Sequence, residues 1–194
     1  VNPYIGSIGH LLTATEPAVQ LPHSVMRVAP VTTPSIRDRY LADRIYGFPI
    51  GRAVLAASTG KVEESLAGVA SRFDHDLETA TPYYYAVTLE DCDIQAEYTV
   101  SARAVHFRFS FPPGAAARLS LFIRAGGEVR VLGASAIAGV EQSFGGRQYF
   151  HMEFSRPFTS PATFRVARME GASRREPSGP VSYTHLRAHE TVLD

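Results

Sequence analysis

The chain contains no tryptophan and only one cysteine, Cys92, among its 194 residues. A single cysteine excludes an internal disulfide and any zinc site that needs several thiolates. Without tryptophan, only tyrosine, phenylalanine or histidine could stack on the face of a sugar ring. An aromatic platform for carbohydrate would therefore have to be built from these three residue types.

Net charge and long apolar runs are also missing. The 19 basic side chains balance 19 acidic ones, so nothing favours a nucleic-acid partner or an anionic membrane surface. No apolar run approaches the roughly 20 residues of a membrane-spanning helix, and the chain shows no signal-peptide pattern. The composition is 45% hydrophobic and 20% charged, which indicates one substantial globular domain or two small ones.

Apolar and polar residues alternate from Tyr83 onward, a pattern typical of half-buried β-strands. The predicted strands are "YYYAVTL", "DIQAEYTV", "VHFRFSF", "RLSLFIRA", "EVRVLGA", "AIAGVEQ", "QYFHMEFS" and "ATFRVARM". "AGGE" is predicted to be a hairpin turn, and "FPPGAAA" and "SFGGR" are further turns. Short helices are predicted for "PSIRDRYLADRI" and "VEESLAGVASRF". The pattern predicts an all-β fold, an antiparallel β-sandwich with one or two short helices and an irregular N-terminal segment.

The C-terminal end has a different character from the rest of the chain. We assign residues 1–170 to the β-sandwich domain, 171–180 to a polar linker and 181–194 to a non-native tail. The tail begins "VSYTHL", which resembles one reading frame of a transposon adaptor used in sequencing libraries. We therefore expect it to make no packed contact with the sandwich. The alternative is a short native C-terminal segment.

The stretch "DHDLE" gathers Asp74, His75, Asp76 and Glu78. These side chains can converge only in a turn, because a strand would send alternate residues to opposite faces. We interpret the cluster as turn hydrogen bonds and local ion pairs ahead of the strand at Tyr83. The functional alternatives are a lip of a substrate cleft or, less favoured, the metal site of a small enzyme.

Five segments in order resemble the N-terminal domain of glycoside hydrolase family 92, the calcium-dependent α-mannosidases. They are "VNPYIGSIGH", "LPHSVMRVAP", "FDHDLETATPYYYAVTLEDCDIQAEYT", "VHFRFSFP" and "YFHMEFSRPF", and the resemblance runs to about Met169. It implies a bacterial, periplasmic or secreted exo-glycosidase. In that family a large helical barrel follows the sandwich and carries the acid, the base and most of the calcium site. Inversion needs two carboxyl groups about 6.5–9.5 Å apart.

The resemblance implies a substrate-binding but no catalytic role for this chain. Calcium is implied for the parent enzyme, and no catalytic residue or metal ligand is assigned here. The implied partners are a mannose-containing glycan and the catalytic domain of the same polypeptide. We expect the fragment alone to be inactive. The rival interpretation is a free-standing carbohydrate-binding or adhesion module.

Four residues are predicted to contact substrate: Gly9, His10, Tyr46 and Phe48. Glycine permits close backbone approach, and histidine can bond a hydroxyl. Tyr46 and Phe48 could stack on a sugar, in an apolar patch left exposed without the barrel. The alternatives are a surface loop for His10 and core packing for Phe48. "GHLLTA" lacks the family's second histidine, and "YGFPIGRAVLAASTG" lacks its histidines, which leaves the sugar and linkage open.

Overall fold

A computed structural model describes residues 2–6, 16–32, 42–124, 126–143, 145–166 and 181–187. These residues contain strands and no helix, and all strand pairs are antiparallel. The all-β, antiparallel β-sandwich class predicted from the sequence is confirmed. None of the described residues lies in a helix long and apolar enough to cross a membrane. The chain divides into two compact units, formed by residues 1–49, 69–115 and 190–194 and by residues 50–68 and 116–189.

Unit 1 contains two groups of strands. They are β1 (Val31–Thr32), β2 (Arg44–Ile50, whose last residue falls in unit 2), β4 (Ser71–Arg72), β5 (Thr79–Ala80), β6 (Tyr84–Leu89), β7 (Ile94–Val100) and β8 (Val105–Ser110). β2 pairs with β1 and β4, and the order β5-β6-β7-β8 forms a four-stranded sheet. Phe48 of β2 packs on Tyr98 and Phe107 of that sheet, so aromatic rings fill the space between the two groups.

Unit 2 also contains two groups of strands. They are β3 (Ala53–Thr59), β9 (Ala117–Phe122), β10 (Gly127–Leu132), β11 (Ala136–Ser143), β12 (Gly146–Glu153), β13 (Ala162–Val166) and β14 (Val181–Arg187). The first sheet has the order β3-β9-β14-β13, and the second has the order β10-β11-β12. Aliphatic side chains such as Leu121, Ile123 and Ile137 are fully buried here.

Two of the elements expected from the sequence are wrong, and another lies mostly outside the described residues. "VEESLAGVASRF" is not a helix, because Ser71 and Arg72 at its end pair with Ile45 and Arg44 of β2. The helix predicted for "PSIRDRYLADRI" mostly lies outside the described residues, and its last two residues begin β2. "AGGE" does not close a hairpin, because β9 pairs with β3 and β14 whereas β10 pairs with β11.

A further wrong expectation concerns the C-terminal segment. Val181–Arg187 forms β14, and its backbone pairs with β9 on one side and β13 on the other. The segment therefore does have partners in the sheet, contrary to the expectation of no packed contact. Its non-native origin stays a prediction, since backbone pairing requires strand geometry and not a particular ancestry.

Candidate functional site

The four predicted substrate contacts fall into different environments. Gly9 and His10 lie outside the described residues. Tyr46 is half-buried on β2. Phe48 is fully buried, and its ring centroid lies 5.6 Å from that of Tyr98. The core alternative therefore applies to Phe48: its ring packs inside unit 1, and the expectation that it lies exposed and stacks on a sugar is wrong.

Tyr46 occupies an irregular point of β2. Thr32 pairs with Ile45 but Val31 pairs with Gly47, so the register leaves Tyr46 as the extra residue of a β-bulge. Gly47 has φ 142°, a backbone conformation that glycine adopts without a steric penalty. A bulge turns the bulged strand and redirects a side chain. It explains why both Ile45 and Phe48 are buried, and it leaves Tyr46 as the ring of this strand that reaches solvent.

The "DHDLE" stretch forms a turn, as predicted. The backbone N–H of Asp76 donates to Oδ1 of Asp74 at 2.9 Å, and the N–H of Leu77 donates to the Asp74 carbonyl. Nε2–H of His75 donates to the carbonyl oxygen of Ala42 at 2.8 Å. Nδ1 of the same ring lies 3.3 Å from Oε1 of Glu78. The interpretation of this cluster as turn hydrogen bonds is confirmed, and the ring of His75 lies within ion-pair distance of Glu78.

Glu78 connects this turn to the tyrosines of unit 1. Its Oε2 accepts a hydrogen bond from the hydroxyl of Tyr85 at 2.5 Å, and its backbone carbonyl accepts one from Tyr4 at 3.3 Å. Burial, with the Glu78 charge beside it, raises the pKa of Tyr4 to about 12 and that of Tyr85 well above its usual value. Both phenols therefore stay protonated and act as donors. The network ties the N-terminal segment to the start of the four-stranded sheet.

The residues of this network do not fit a calcium ion. Calcium takes about six to eight oxygen ligands, whereas the oxygens of Glu78 already accept hydrogen bonds and the ring of His75 lies against Glu78 and Ala42. The described residues contain no group of three or more His, Cys, Asp or Glu that could hold a metal ion. The calcium implied by the resemblance therefore has no set of ligands in the part of the chain described here.

Sequence reasoning missed a polar triad on the outer face of the four-stranded sheet. Nε of Arg108 donates to Oε2 of Glu97 at 2.6 Å, and the hydroxyl of Tyr84 donates to Oε1 at 2.5 Å. The hydrogen bond from Arg108 lowers the pKa of Glu97, although partial burial opposes it. Alternation places Glu97 and Arg108 on the polar faces of their strands, but only the register Glu97↔Arg108 shows that they meet.

Sequence reasoning also missed Glu141, a buried carboxylate in unit 2. Only 1% of its surface is exposed. Its Oε1 accepts the backbone N–H of Arg52 at 2.6 Å, while Oε2 has no hydrogen-bond partner among the described residues. The alternation of "AIAGVEQ" could have found it, because Glu141 shares the inward face with Ile137. It fixes the turn between β2 and β3.

Three carboxylates of the described residues, one buried and two part-buried, serve the structure. Glu78, Glu97 and Glu141 each accept hydrogen bonds from their own neighbours. An inverting hydrolase instead presents one acid and one base to a shared substrate. Among the described residues of β2, the half-exposed ring of Tyr46 at the bulge is the side chain available to contact a ligand.

Comparison with known proteins identifies the family and the solved structures that this fold resembles. The family model of the "Glycosyl hydrolase family 92 N-terminal domain" matches residues 1–192. The GH92 inverting mannosidase BT2199 from Bacteroides thetaiotaomicron superimposes with a TM-score of 0.80 and 21% identity, covering 98% of this chain and 29% of its own. The GH92 α-mannosidase BT3965 from the same organism, in complex with mannoimidazole, gives 0.77 and 22%, covering 98% and 30%.

A third solved structure, the GH92 glycosyl hydrolase ccman5, has a TM-score of 0.72 at 19% identity, covering 97% of this chain and 30% of its own. No curated protein matches significantly. The chain thus spans about 30% of the length of these solved relatives. At these identities the superpositions demonstrate the fold, and the family assignment rests on the match over residues 1–192. The chain belongs to the glycosyl hydrolase family 92 N-terminal domain family.

Proposed function

We propose that this chain is the N-terminal domain of an inverting, exo-acting α-mannosidase that works outside the cytoplasm. The observation that carries the proposal is the family match over residues 1–192. Two of the three solved relatives, BT2199 and BT3965, are mannosidases, and each is about three times longer than this chain. The catalytic acid and base, and the calcium that the family implies, would belong to the remainder of such a polypeptide.

In this proposal the domain supplies one wall of the sugar pocket. Among the described residues, Tyr46 is the proposed contact with the sugar, because the bulge leaves this ring half-exposed while Phe48 is buried. Gly9 and His10 remain the proposed polar contacts from the N-terminal segment. A binding module would instead present several exposed rings together, and among the described residues each unit exposes one large aromatic side chain, Tyr83 or Tyr149.

The test uses the complete reading frame that contains this chain. The purified protein should release mannose from a chromogenic α-mannoside with inversion, followed by NMR of the first-formed anomer, and chelation should abolish turnover. Tyr46→Ala should raise KM about tenfold, since about 1.4 kcal/mol of lost stacking corresponds to that factor. Tyr83→Ala, at a ring that is 60% exposed, is the matched control. A protein inactive on every α-mannoside would overturn the proposal.

A further inference from the structure

The ring of His75 connects two segments of unit 1 that are far apart in the sequence. Its Nε2–H donates to the carbonyl oxygen of Ala42 at 2.8 Å, and the ring packs edge-on against Phe73 with centroids 4.5 Å apart. Ala42 is only 1% exposed, and a buried carbonyl oxygen without a partner is costly. His75 therefore stabilises the segment that leads from Ala42 into β2.

This hydrogen bond extends the pairing of β2 with β4. The two strands pair along only two residues each. Beyond them the backbone N–H of Phe73 donates to the carbonyl oxygen of Asp43 at 3.3 Å, and the next bond is the one from the His75 ring to Ala42. The side chain of His75 thus takes the place of a further backbone bond. It holds β2 on this side one residue further back than the backbone alone.

Tyr46 depends on such anchors because it lies at the bulge of β2. The register of β1 skips it, and a bulged residue has no partner opposite it to fix its direction. The residues on each side must do so. After Tyr46, the ring of Phe48 is held 5.6 Å from that of Tyr98. Before it, the last anchor among the described residues is Ala42, four positions earlier.

Glu78 fixes the ring of His75 in turn. The residue as a whole is part-buried, but its side chain is only 3% exposed. Oε1 lies 3.3 Å from Nδ1 of His75, and Oε2 accepts the hydroxyl of Tyr85 at 2.5 Å. The Tyr85 ring stacks on Tyr98 at 5.1 Å, the ring that also packs on Phe48. Both anchors of β2 therefore lead back to the carboxylate of Glu78.

We propose that His75, held by Glu78, is a positioning residue for the sugar contact at Tyr46. The inference rests on the proposed function, since that function makes Tyr46 the contact. His75 does not touch the sugar: its side chain is 22% exposed, and both ring nitrogens face oxygens of the protein. Its bond to Ala42 keeps β2 in the course that presents the Tyr46 ring.

The experiment measures hydrolysis of a chromogenic α-mannoside by the complete polypeptide. His75→Leu removes the donor to Ala42 and keeps a side chain of similar size. It should raise KM about fivefold with kcat changed by less than about twofold, the pattern expected when substrate and transition state lose the same binding contact. An unchanged KM would overturn the proposal.

His75→Gln is the rescuing variant, because the amide nitrogen of glutamine can occupy the place of Nε2 and donate to Ala42. Its KM should lie within about twofold of the parent value, since the contact itself is retained. A glutamine variant as impaired as the leucine variant would show that the hydrogen bond is not what matters, and would overturn the proposal.

Val100→Ala is the control for lost stability. Val100 is 4% exposed at the end of β7 in the same unit, so removing its methyl groups lowers the thermal midpoint. Its KM should equal that of the parent. A KM that rises in Val100→Ala as much as in His75→Leu would mean that any destabilisation of the unit weakens binding, which overturns a specific role for His75.

A double variant tests whether His75 acts through Tyr46. Once Tyr46→Ala has removed the ring, adding His75→Leu should raise KM no further, because the two changes remove one contact. Independent effects would instead multiply, to about fiftyfold from the tenfold and fivefold single effects. A multiplied effect would place the action of His75 elsewhere and overturn the proposal.

Hydrogen exchange of residues 42–50 in the same complete protein separates this inference from the proposed function. Exchange there should be at least about fivefold faster in His75→Leu and unchanged in His75→Gln, because the lost bond lets this segment open locally. That result in a protein that hydrolyses no α-mannoside contradicts only the proposed function. Turnover of α-mannosides with KM raised by Tyr46→Ala but not by His75→Leu contradicts only the positioning role.

Discussion

Gly51 is the residue at which backbone and side-chain constraints coincide. Its φ is +65°, and a Cβ added there would lie 2.6 Å from Oε1 of Glu141 and 2.6 Å from Oε1 of Gln148. Gln148 is exposed and can move away, whereas Glu141 is buried and bonded to the N–H of Arg52. An alanine at this position would therefore have a strained backbone, and its Cβ would clash with the fixed carboxylate of Glu141.

We expect Gly51→Ala to lower the free energy of unfolding by about 2–3 kcal/mol. Gly60→Ala is the control, because Gly60 has φ +80° but no atom within 4 Å of the added Cβ, and it should cost only about 1 kcal/mol. Urea unfolding of both variants measures the difference. Equal losses would mean that the Glu141 carboxylate gives way and does not anchor the turn.

Glu141 itself gives the second prediction. Glu141→Gln keeps an oxygen for the N–H of Arg52 and replaces the buried Oε2, which lacks a partner among the described residues, with an amide nitrogen. Stability should change by less than about 1 kcal/mol. Glu141→Leu removes the carboxylate acceptor of the part-buried N–H of Arg52 and should cost about 2–3 kcal/mol. Denaturant midpoints of the two variants measure this difference, and a leucine variant as stable as the glutamine variant contradicts the assigned hydrogen bond.

At the scale of the element, strands β6, β7 and β8 are joined by the Tyr84–Glu97–Arg108 triad. The hydrogen bond from Arg108 holds the pKa of Glu97 below its ordinary value of 4.5. A carboxyl whose pKa is lower in the folded state stabilises the fold above its unfolded pKa, and this contribution is lost as the pH falls through the folded value. The triad should therefore stabilise the sheet at neutral pH and not in acid.

We expect Glu97→Gln to cost about 1 kcal/mol at pH 7, a modest value because the Arg108 side chain is 62% exposed and solvent screens the pair. The difference from the parent chain should shrink between about pH 5 and pH 3. Thermal unfolding across this range measures it. Glu128→Gln, which removes an ion pair exposed on both sides, should show little effect at any pH. A loss for Glu97→Gln that is constant with pH would contradict the charged triad.

The elements that could be predicted from the sequence are those whose pattern is local. Strands β6, β7, β8, β11 and β12 were evident because alternation is decided by neighbours along the chain. Strand β4 (Ser71–Arg72) was missed because it is fixed by pairing with β2, far away in sequence. Phe48 was misplaced for a related reason: the bulge at Tyr46 shifts the alternation, and only the partner strand β1 reveals it.

The C-terminal strand β14 is where sequence and structure disagree most. Thr184 pairs with Thr163 of β13 and with Leu121 of β9. Proline at this position removes a backbone donor from a strand with a partner on each side. We expect Thr184→Pro to cost about 3 kcal/mol, measured by urea unfolding, and Thr184→Ala to cost much less. If both variants match the parent chain, the segment contributes nothing to the sheet and its interpretation as a foreign tail gains support.

At the scale of the whole molecule, the described residues mainly pack and stabilise the two units. Unit 1 is packed with aromatic rings such as those of Tyr85 and Tyr98, and unit 2 is packed with aliphatic side chains such as Leu121 and Ile137. The lone thiol fits the same description, since burial raises the pKa of Cys92 to about 11 and keeps it protonated and unreactive at neutral pH.

The last prediction is that the 194-residue chain alone does not hydrolyse α-mannosides, with or without calcium. Inverting hydrolysis needs an acid and a base about 6.5–9.5 Å apart across an open site. In the described residues the part-buried carboxylates Glu78 and Glu97 and the buried Glu141 accept hydrogen bonds from their own neighbours, and no group of three potential metal ligands occurs. Mannose release from a chromogenic α-mannoside is measured with calcium and with chelator, beside the complete polypeptide as the positive control. Calcium-dependent turnover by the isolated chain that disappears in Glu78→Gln, while the thermal midpoint stays unchanged, would show that catalysis resides in this domain after all.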